Sequence, residues 1–308
     1  MDLKKDFSSQ DLELKPDYEG KVKAVLTYSK HNSGRKNSVL YLHGFIDYFF
    51  HPHVGAAFNE NDFDFYALDL RKHGRALLPH QHPNYCRSIE EYFEEITLAL
   101  EKIHQKSISV FLLAHSTGGL TASLYMNHGP KKGLVKGLIL NSPFLDVNLP
   151  KWQKSLTVAA ARVVAKISNY AKVNGAISPA YAQSVHQDHY GEWDFNKKWK
   201  PIKGFPAFFK WFVAIDNAQK KLQASDIEVP VLILHSSGSY RTAKYSEKAM
   251  SHDIVLNIED IIRVGKDLGK EVTLIQIKDA QHDIFLSKNS VREEGFRKMF
   301  EWLSSTTD

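Results

Sequence analysis

The chain has 308 residues, of which 43% are hydrophobic and 24% are charged, with a formal net charge of +5 at pH 7. This is the composition of an ordinary globular protein, and the length allows one large α/β domain with an insertion or two ordinary domains. The 40 basic and 35 acidic residues are spread along the chain without a sustained basic block. A nucleic-acid partner is therefore not expected.

Compartment is predicted from cysteine content and from apolar runs. Cys86 is the only cysteine, which excludes an intrachain disulfide and gives no indication of an oxidising compartment. The first residues have no apolar stretch typical of a signal peptide, and no later run has the length of a bilayer-spanning helix. We expect a cytoplasmic protein with no integral membrane segment.

Up to about residue 145, strand-like and helix-like segments alternate. Ser88 and Glu91 form a capping-box pattern ahead of an amphipathic helix that continues through Ile103. Strands that alternate with helices favour a mostly parallel sheet covered on both faces. Short apolar or alternating runs predict strands at residues 22–28, 38–42, 63–68, 108–113 and 135–140, and a further helix is predicted at 118–127.

The alternation stops between about residues 146 and 226. This stretch has helical patterns, as at 156–171, and many aromatic residues, but no comparable strand run. We expect one α/β core, formed by residues 1–145 and 227–308, with a helical cap inserted at 146–226. After the insertion the sheet pattern resumes, with strands at 229–234 and 272–277 and helices at about 258–268 and 291–303.

The segment from Val110 to Met126 predicts a sharp turn between a strand and a helix. Ser116 stands at the turn, with Ala114 two residues before it and Gly118 two residues after it. A nucleophilic serine on a strained strand-to-helix turn needs small residues at both positions, so that the strand and the helix can pass closely. Ser116 is therefore the candidate nucleophile. The alternative is an ordinary helix N-cap.

A serine hydroxyl needs a base to take its proton and an acid behind that base, here in the chain order serine, acid, histidine. Active sites of open parallel sheets lie at the carboxyl ends of the strands. His282 follows the last predicted strand, where a loop can bring it towards Ser116. It is the expected base. His115 is less suited, because a residue directly before the nucleophile is expected to point away from it.

The sequence predicts the position of the acid behind the histidine less directly. It would ordinarily follow the strand that ends near His235, at the position that Ser239 occupies, and a serine cannot stabilise an imidazolium by charge. Aligning the chain on the next predicted helix puts Asp253 in that position, with residues 240–252 as an insertion. Asp253 is the expected acid, and Asp146, after the strand at 135–140, is the alternative.

An oxyanion formed at the serine must be met by preorganised donors, usually two backbone N–H groups. One would belong to Thr117, the residue after the nucleophile. The other should come from the loop after the strand at 38–42, at Phe45, where Gly44 lets the backbone turn close to a substrate.

Several motifs occur in an order that resembles the α/β-hydrolase superfamily, specifically its serine aminopeptidase-like, monoacylglycerol lipase or lysophospholipase-like branch. The motifs are Tyr41-Leu-His-Gly-Phe45, Ala67-Leu-Asp-Leu-Arg-Lys-His-Gly-Arg75, the turn at Ser116, Leu140-Asn-Ser-Pro-Phe144, Val229-Pro-Val-Leu-Ile-Leu-His235 and His282. The resemblance implies an α/β-hydrolase fold with helices flanking a mostly parallel central sheet, and a helical cap after the sixth strand. It also implies a Ser-Asp-His triad.

The expected function is a cofactor-independent serine hydrolase that cleaves carboxylic esters of small or lipid-like apolar acyl substrates, through a Ser-His-Asp triad and an acyl-enzyme. Hydrolysis of amides or peptides by the same mechanism is one alternative. A catalytically weak ligand-binding module on a hydrolase scaffold is the other, suggested by Ser239 at the usual acid position. A metal hydrolase is not expected, since histidine pairs such as His51 and His53 lack a carboxylate pattern with a third ligand.

The partner expected from this function is a small-molecule ester substrate. Exposed aromatic residues of the cap would also allow contact with a second copy of the chain in a homo-oligomer, or with a lipid surface.

Overall fold

The structure, a computed structural model, describes residues 2–147, 151–174 and 177–307. Eight strands form its central sheet: β1 (Phe7–Glu13), β2 (Lys23–Ser29), β3 (Asn37–Leu42), β4 (Phe63–Asp69), β5 (Ser109–His115), β6 (Val135–Asn141), β9 (Val231–Ser236) and β10 (Val272–Ile277). Their order is β1-β2-β4-β3-β5-β6-β9-β10. Strand β2 pairs antiparallel with β1 and β4, and the remaining neighbours pair parallel. The expected α/β fold with a mostly parallel sheet is confirmed.

Helices cover both faces of the sheet. The helices of the described residues are α1 (Leu3–Asp6), α2 (Pro52–Glu60), α3 (Phe93–His104), α4 (Thr117–His128), α5 (Lys151–Ile167), α6 (Pro179–Val185), α7 (Phe209–Lys221), α8 (Ile258–Gly265) and α9 (Asn289–Thr307). Successive side chains of a strand point to opposite faces. In β3, Leu40 and Leu42 therefore join the apolar cluster that includes α3, α4 and α8, whereas Val39 and Tyr41 join the cluster that includes α2 and α9.

Local sequence explains where several elements begin and end. Ser88 and Glu91 form the capping box that was expected, although a 3-10 turn at Ile89–Tyr92 comes before α3. Strand β1 was not predicted from the sequence. Strand β1 has only Phe7 and Leu12 buried, so it lacks the apolar run of a central strand.

The short helix α2, which begins at Pro52, was not predicted either. Two predicted helices also extend too far. The helix expected at 156–171 begins at Lys151 and ends at Ile167, and α8 ends at Gly265, not near residue 268.

The described part of residues 146–226 adds α5, α6, α7 and a two-stranded antiparallel ribbon of β7 (Lys172–Val173) and β8 (Ala207–Phe208). Helices α5 and α7 pack against each other, and α7 also contacts α4 of the core. The aromatic side chains of this stretch divide between two environments. Trp211 is buried above the sheet, whereas Trp152 is 65% exposed.

Candidate active site

Ser116 lies on a strained turn between β5 and α4. Its φ of 53° and ψ of −118° fall in a region that non-glycine residues seldom occupy. Close approach explains the small residues around it. A Cβ on Gly118 would lie 2.4 Å from the carbonyl oxygen of His43, and one on Gly44 would lie 3.0 Å from the Ser116 Cβ. Ala114 is fully buried in β5, so the extra methyl group fits where glycine is usual.

His282 reaches this turn from the loop after β10. Its Nε2 lies 3.0 Å from the Ser116 Oγ, within hydrogen-bond distance, and the side chain is almost fully buried. The serine hydroxyl can donate to Nε2 when that nitrogen is unprotonated. The other ring nitrogen must then carry the hydrogen.

Asp253 lies behind His282. The Asp253 Oδ2 is 2.8 Å from the His282 Nδ1, and the carboxylate is fully buried. Its Oδ1 accepts hydrogen bonds from the backbone N–H groups of Val255 and Leu256, at 2.8 and 2.7 Å. One carboxylate oxygen is thus fixed by the backbone, and the other faces the imidazole. This arrangement selects the Nδ1–H tautomer of His282.

The structure brings Ser116, His282 and Asp253 together and leaves Asp146 apart. Asp146 forms ion pairs with Lys154 and with Arg263. These two cations lower the pKa of its carboxyl against the opposing effect of burial.

Phe45 and Thr117, the expected sources of oxyanion donors, line the same cavity as Ser116 and His282. Ile46, after Phe45, has a φ of 54°, and its N–H donates to the Asn84 Oδ1 at 2.8 Å. The loop after β3 is therefore held in a sharply turned conformation by a side chain from elsewhere in the core.

Sequence reasoning missed a second polar layer beside His282. The ring of His115 lies 4.7 Å from the ring of His282, so the expectation that His115 points away from the site is wrong. The reason is that β5 ends at His115, and its ring packs beneath the loop after β10. Burial lowers the pKa of His115 to about 4, which leaves its imidazole neutral near pH 7.

Asn141 and Asp283 link that loop to the sheet. The Asn141 Nδ2 donates to the Asp283 Oδ1 at 2.7 Å, and the N–H of Ile284 donates to the Asn141 Oδ1 at 3.3 Å. Asn141 ends β6, next to β5 in the sheet. Its place at a strand end was visible in the sequence, but its contact with the residue after His282 was not.

A cavity of about 820 Å³ lies over Ser116 and His282. The 146–226 segment supplies much of its apolar wall, including Phe208, Trp211 and Phe212. Trp211 stacks on Phe45, with ring centroids 4.1 Å apart. The cavity can therefore hold an apolar group next to the serine hydroxyl.

The sequence was also compared with models of known protein families, and one of them matches. The family described as serine aminopeptidase, S33, matches residues 33–288, which is most of the chain. The chain belongs to this family.

Part of the chain is similar in sequence to a phospholipase. Phospholipase YtpA of Bacillus subtilis (strain 168) is 34% identical over 76 residues, which are 25% of this chain and 29% of that protein. The match thus spans less than a third of the phospholipase.

Solved structures match the fold over almost the whole S33 chain. A soluble variant of monoglyceride lipase from Saccharomyces cerevisiae, in complex with a substrate analog, has a TM-score of 0.69 at 18% identity, covering 97% of both chains. A thermostable carboxyl esterase from Bacillus coagulans, in complex with glycerol, has a TM-score of 0.67 at 14% identity, covering 97% of this chain and 99% of the esterase. At these identities the likeness shows the α/β-hydrolase fold.

Neither a metal site nor a membrane-spanning helix occurs in the described residues of the chain. Over 2–147, 151–174 and 177–307, no three His, Cys, Asp or Glu side chains are grouped so that they could hold a metal ion. Within the same ranges, every helix is too short or too polar to cross a bilayer.

Proposed function

We propose that this protein hydrolyses carboxylic esters, with Ser116 as nucleophile, His282 as general base and acid, and Asp253 as the acid behind the histidine. The observation that carries the proposal is the continuous chain of contacts from the Ser116 Oγ to the His282 Nε2, at 3.0 Å, and from the His282 Nδ1 to the Asp253 Oδ2, at 2.8 Å. Nucleophile, base and orienting acid in hydrogen-bond reach are what covalent catalysis by serine requires.

In the proposed first step, the Ser116 Oγ attacks the ester carbonyl carbon while its proton passes to the His282 Nε2. The carbonyl oxygen becomes an oxyanion that accepts hydrogen bonds from the N–H groups of Phe45 and Thr117. The tetrahedral intermediate collapses, and the proton on Nε2 goes to the leaving alcohol. An acyl-enzyme remains on Ser116. Water, deprotonated by His282, then releases the acid and restores the serine hydroxyl.

Asp253 supports both proton transfers without leaving its place. Its carboxylate holds the Nδ1–H of His282 and stabilises the positive imidazolium that forms when Nε2 is protonated. Two backbone N–H groups fix the carboxylate through its other oxygen, so the imidazole is held in one orientation.

The cavity favours apolar acyl esters over substrates that carry an amine. Aromatic side chains line the side formed by the 146–226 segment, which suits an acyl chain. An aminopeptidase needs a carboxylate to bind the substrate amine. Among the described residues that line the cavity, Asp47 is the only acid, and it is already paired with Lys200 at 2.7 Å. Amide hydrolysis is therefore the weaker candidate.

The relatives support the same substrate class. The chain resembles a monoglyceride lipase and a carboxyl esterase in fold, and part of its sequence resembles a phospholipase. All three names denote enzymes that cleave ester bonds. We propose the same bond for this chain, with a small-molecule substrate and with no cofactor in the reaction.

The test is hydrolysis of p-nitrophenyl butanoate and octanoate by the wild type and by Ser116→Ala. We expect the variant to lose about 10⁴-fold or more in kcat, because the nucleophile is removed. Ser123→Ala is the matched control, since Ser123 is a buried serine on α4 whose hydroxyl binds only within the helix. It should keep wild-type kcat. Ester turnover that survives in Ser116→Ala would overturn the proposal.

A second measurement compares the bond types. Butanoyl p-nitroanilide and alanine p-nitroanilide carry amide bonds with the same type of chromogenic leaving group. We expect kcat/KM for both to lie well below that for the butanoate ester. A higher kcat/KM for alanine p-nitroanilide would instead favour an aminopeptidase.

A further inference from the structure

A buried ion pair joins the 146–226 segment to the loop that carries Phe45. The Lys200 Nζ lies 2.7 Å from the Asp47 Oδ1, and the two side chains are 5% and 3% exposed. Burying two charges costs solvation energy, and a pair of apolar residues can often replace such a pair without loss of stability. A buried pair at this position therefore invites an explanation beyond stability.

The surroundings of the pair make its geometry specific. The Lys200 Nζ lies 5.1 Å from the ring centroid of Phe50, 5.5 Å from that of Phe195 and 5.7 Å from that of Tyr181. The Lys200 ammonium is thus surrounded by three aromatic rings, and Asp47 is the carboxylate with which it forms an ion pair. The lysine is thus aimed at the loop from within an aromatic pocket.

Asp47 is two residues after Phe45, in the loop after β3. Its Oδ1, the atom that binds Lys200, also accepts the N–H of Tyr48 at 2.9 Å. Ile46, between Phe45 and Asp47, has positive φ and donates its N–H to Asn84. The direction of the Phe45 N–H therefore depends on a short, turned segment that is held on one side by Asn84 and on the other by Lys200.

We propose that Lys200 and Asp47 are positioning residues for the oxyanion donors, so that a residue of the 146–226 segment sets how well the loop stabilises the tetrahedral intermediate. This inference rests on the proposed function. Neither residue touches the reacting atoms in this role. Lys200 holds Asp47, and Asp47 holds the backbone next to the Phe45 N–H.

The two single variants, Lys200→Met and Asp47→Asn, break the pair. Since either leaves a buried charge without its partner, both are expected to lower the melting temperature as well as activity. The double variant separates these effects, because it contains no buried unpaired charge. An asparagine at position 47 can still accept the N–H of Tyr48 through its Oδ1.

Two ligands separate positioning from a merely structural role. Butylboronic acid forms a tetrahedral adduct on an active serine and places an oxygen in the oxyanion site, whereas butanoate fills the acyl site without an adduct. In the double variant we expect a melting temperature near that of the wild type, with kcat for p-nitrophenyl butanoate lowered about 10- to 100-fold, as for a displaced catalytic donor. The inhibition constant of butylboronic acid should rise by a similar factor, and that of butanoate should stay unchanged.

Lys221→Met is the matched control. Lys221 of α7 pairs with Glu90 of the core, but this pair is half-exposed and away from the loop. It should leave kcat and both inhibition constants unchanged. A double variant with wild-type kcat and wild-type affinity for butylboronic acid would overturn the inference. Failure of the proposed function would look different, since the wild type would then show no ester hydrolysis that depends on Ser116.

Discussion

Ser239 and Asp253 lie side by side at the end of β9, although residues 240–252 separate them in the chain. They form an isolated parallel bridge, in which the Asp253 N–H donates to the Gly238 carbonyl and the Tyr240 N–H donates to the Asp253 carbonyl, both at 2.9 Å. The intervening loop leaves the strand end and returns to it. Asp253 is therefore placed next to the position where a shorter loop would carry the acid.

We predict that Asp253→Asn lowers kcat for p-nitrophenyl butanoate by about 10³- to 10⁴-fold, because an asparagine can stabilise the wrong tautomer of His282 and carries no charge for its imidazolium. Asp146→Asn is the control, since Asp146 pairs with Lys154 and Arg263 and not with the histidine. It should stay within about twofold of the wild type, because surface ion pairs contribute little. The opposite ranking of the two variants would transfer the acid role to Asp146.

The close passage of α4 over β3 predicts a steric penalty at Gly118. In Gly118→Ala, the new Cβ would lie 2.4 Å from the His43 carbonyl oxygen and 2.7 Å from that of Leu42, and both are backbone atoms that cannot rotate away. We expect the free energy of unfolding in urea to fall by about 1–3 kcal/mol. Gly133→Ala is the control, since nothing lies within 4 Å of its new Cβ. Equal stability of the two variants would contradict the tight passage.

The stack of Trp211 on Phe45 predicts a limit on acyl-chain length. Trp211→Ala removes a large side chain from the wall of the cavity, so the ratio of kcat/KM for the octanoate ester to that for the butanoate ester should rise. Trp152→Ala makes the same change at a side chain that is 65% exposed, and it should leave the ratio unchanged. If the ratio of kcat/KM values changed equally in both variants, Trp211 would not be the residue that limits acyl-chain length.

Buried histidines predict a loss of stability on acidification. Burial lowers the pKa of His53 and of His73 from 6.5 to about 3, and that of His115 to about 4. Below pH 6.5 these residues take up protons in the unfolded chain but not in the folded one. The contribution of these three histidines to stability is therefore fully present above pH 6.5 and is lost as the pH drops from 6.5 towards 4, by about 1 kcal/mol per pH unit for each histidine.

Urea unfolding between pH 7 and pH 4.5 checks this slope. In His73→Phe, the slope of the free energy of unfolding against pH should be smaller by the contribution of one histidine. A phenylalanine can keep the ring contacts with His43 and Tyr92, but it does not titrate. A slope that is the same in this variant as in the wild type would show that His73 does not contribute to it.

The sheet was largely predictable from sequence because most of its strands are buried on both faces. All six residues of β9 are buried, and the first four, Val231 to Leu234, appear in the sequence as one apolar run that stops before His235. Strand β1 was missed for the opposite reason, since it lies at the sheet edge and exposes most of its side chains. Strand β10 lies at the opposite edge and was predicted at 272–277, because its sequence keeps the apolar residues that β1 lacks. A position at the sheet edge therefore hides a strand only when its sequence is also mostly polar.

The residues of the candidate site also differ in how far the sequence predicts them. Ser116 and His282 follow strands, so strand order alone predicted that they would lie near each other. Asp253 needed an assumption about residues 240–252, which local pattern cannot test. The contacts of Lys200 with Asp47, and of Asn141 with Asp283, join residues far apart in the chain without a local motif. No spacing rule predicts such pairs.

The most direct test of the central claim, that His282 activates Ser116 as a nucleophile, is covalent labelling of the folded protein by a fluorophosphonate, followed by mass spectrometry. A serine hydroxyl reacts with this reagent when a neighbouring base activates it. We expect one adduct on the wild type, mapped to Ser116, no adduct on Ser116→Ala, and much slower labelling of His282→Gln. A folded wild-type protein that takes up no label, or carries it on another residue, would contradict activation of Ser116 by His282 and favour a ligand-binding module on a hydrolase fold.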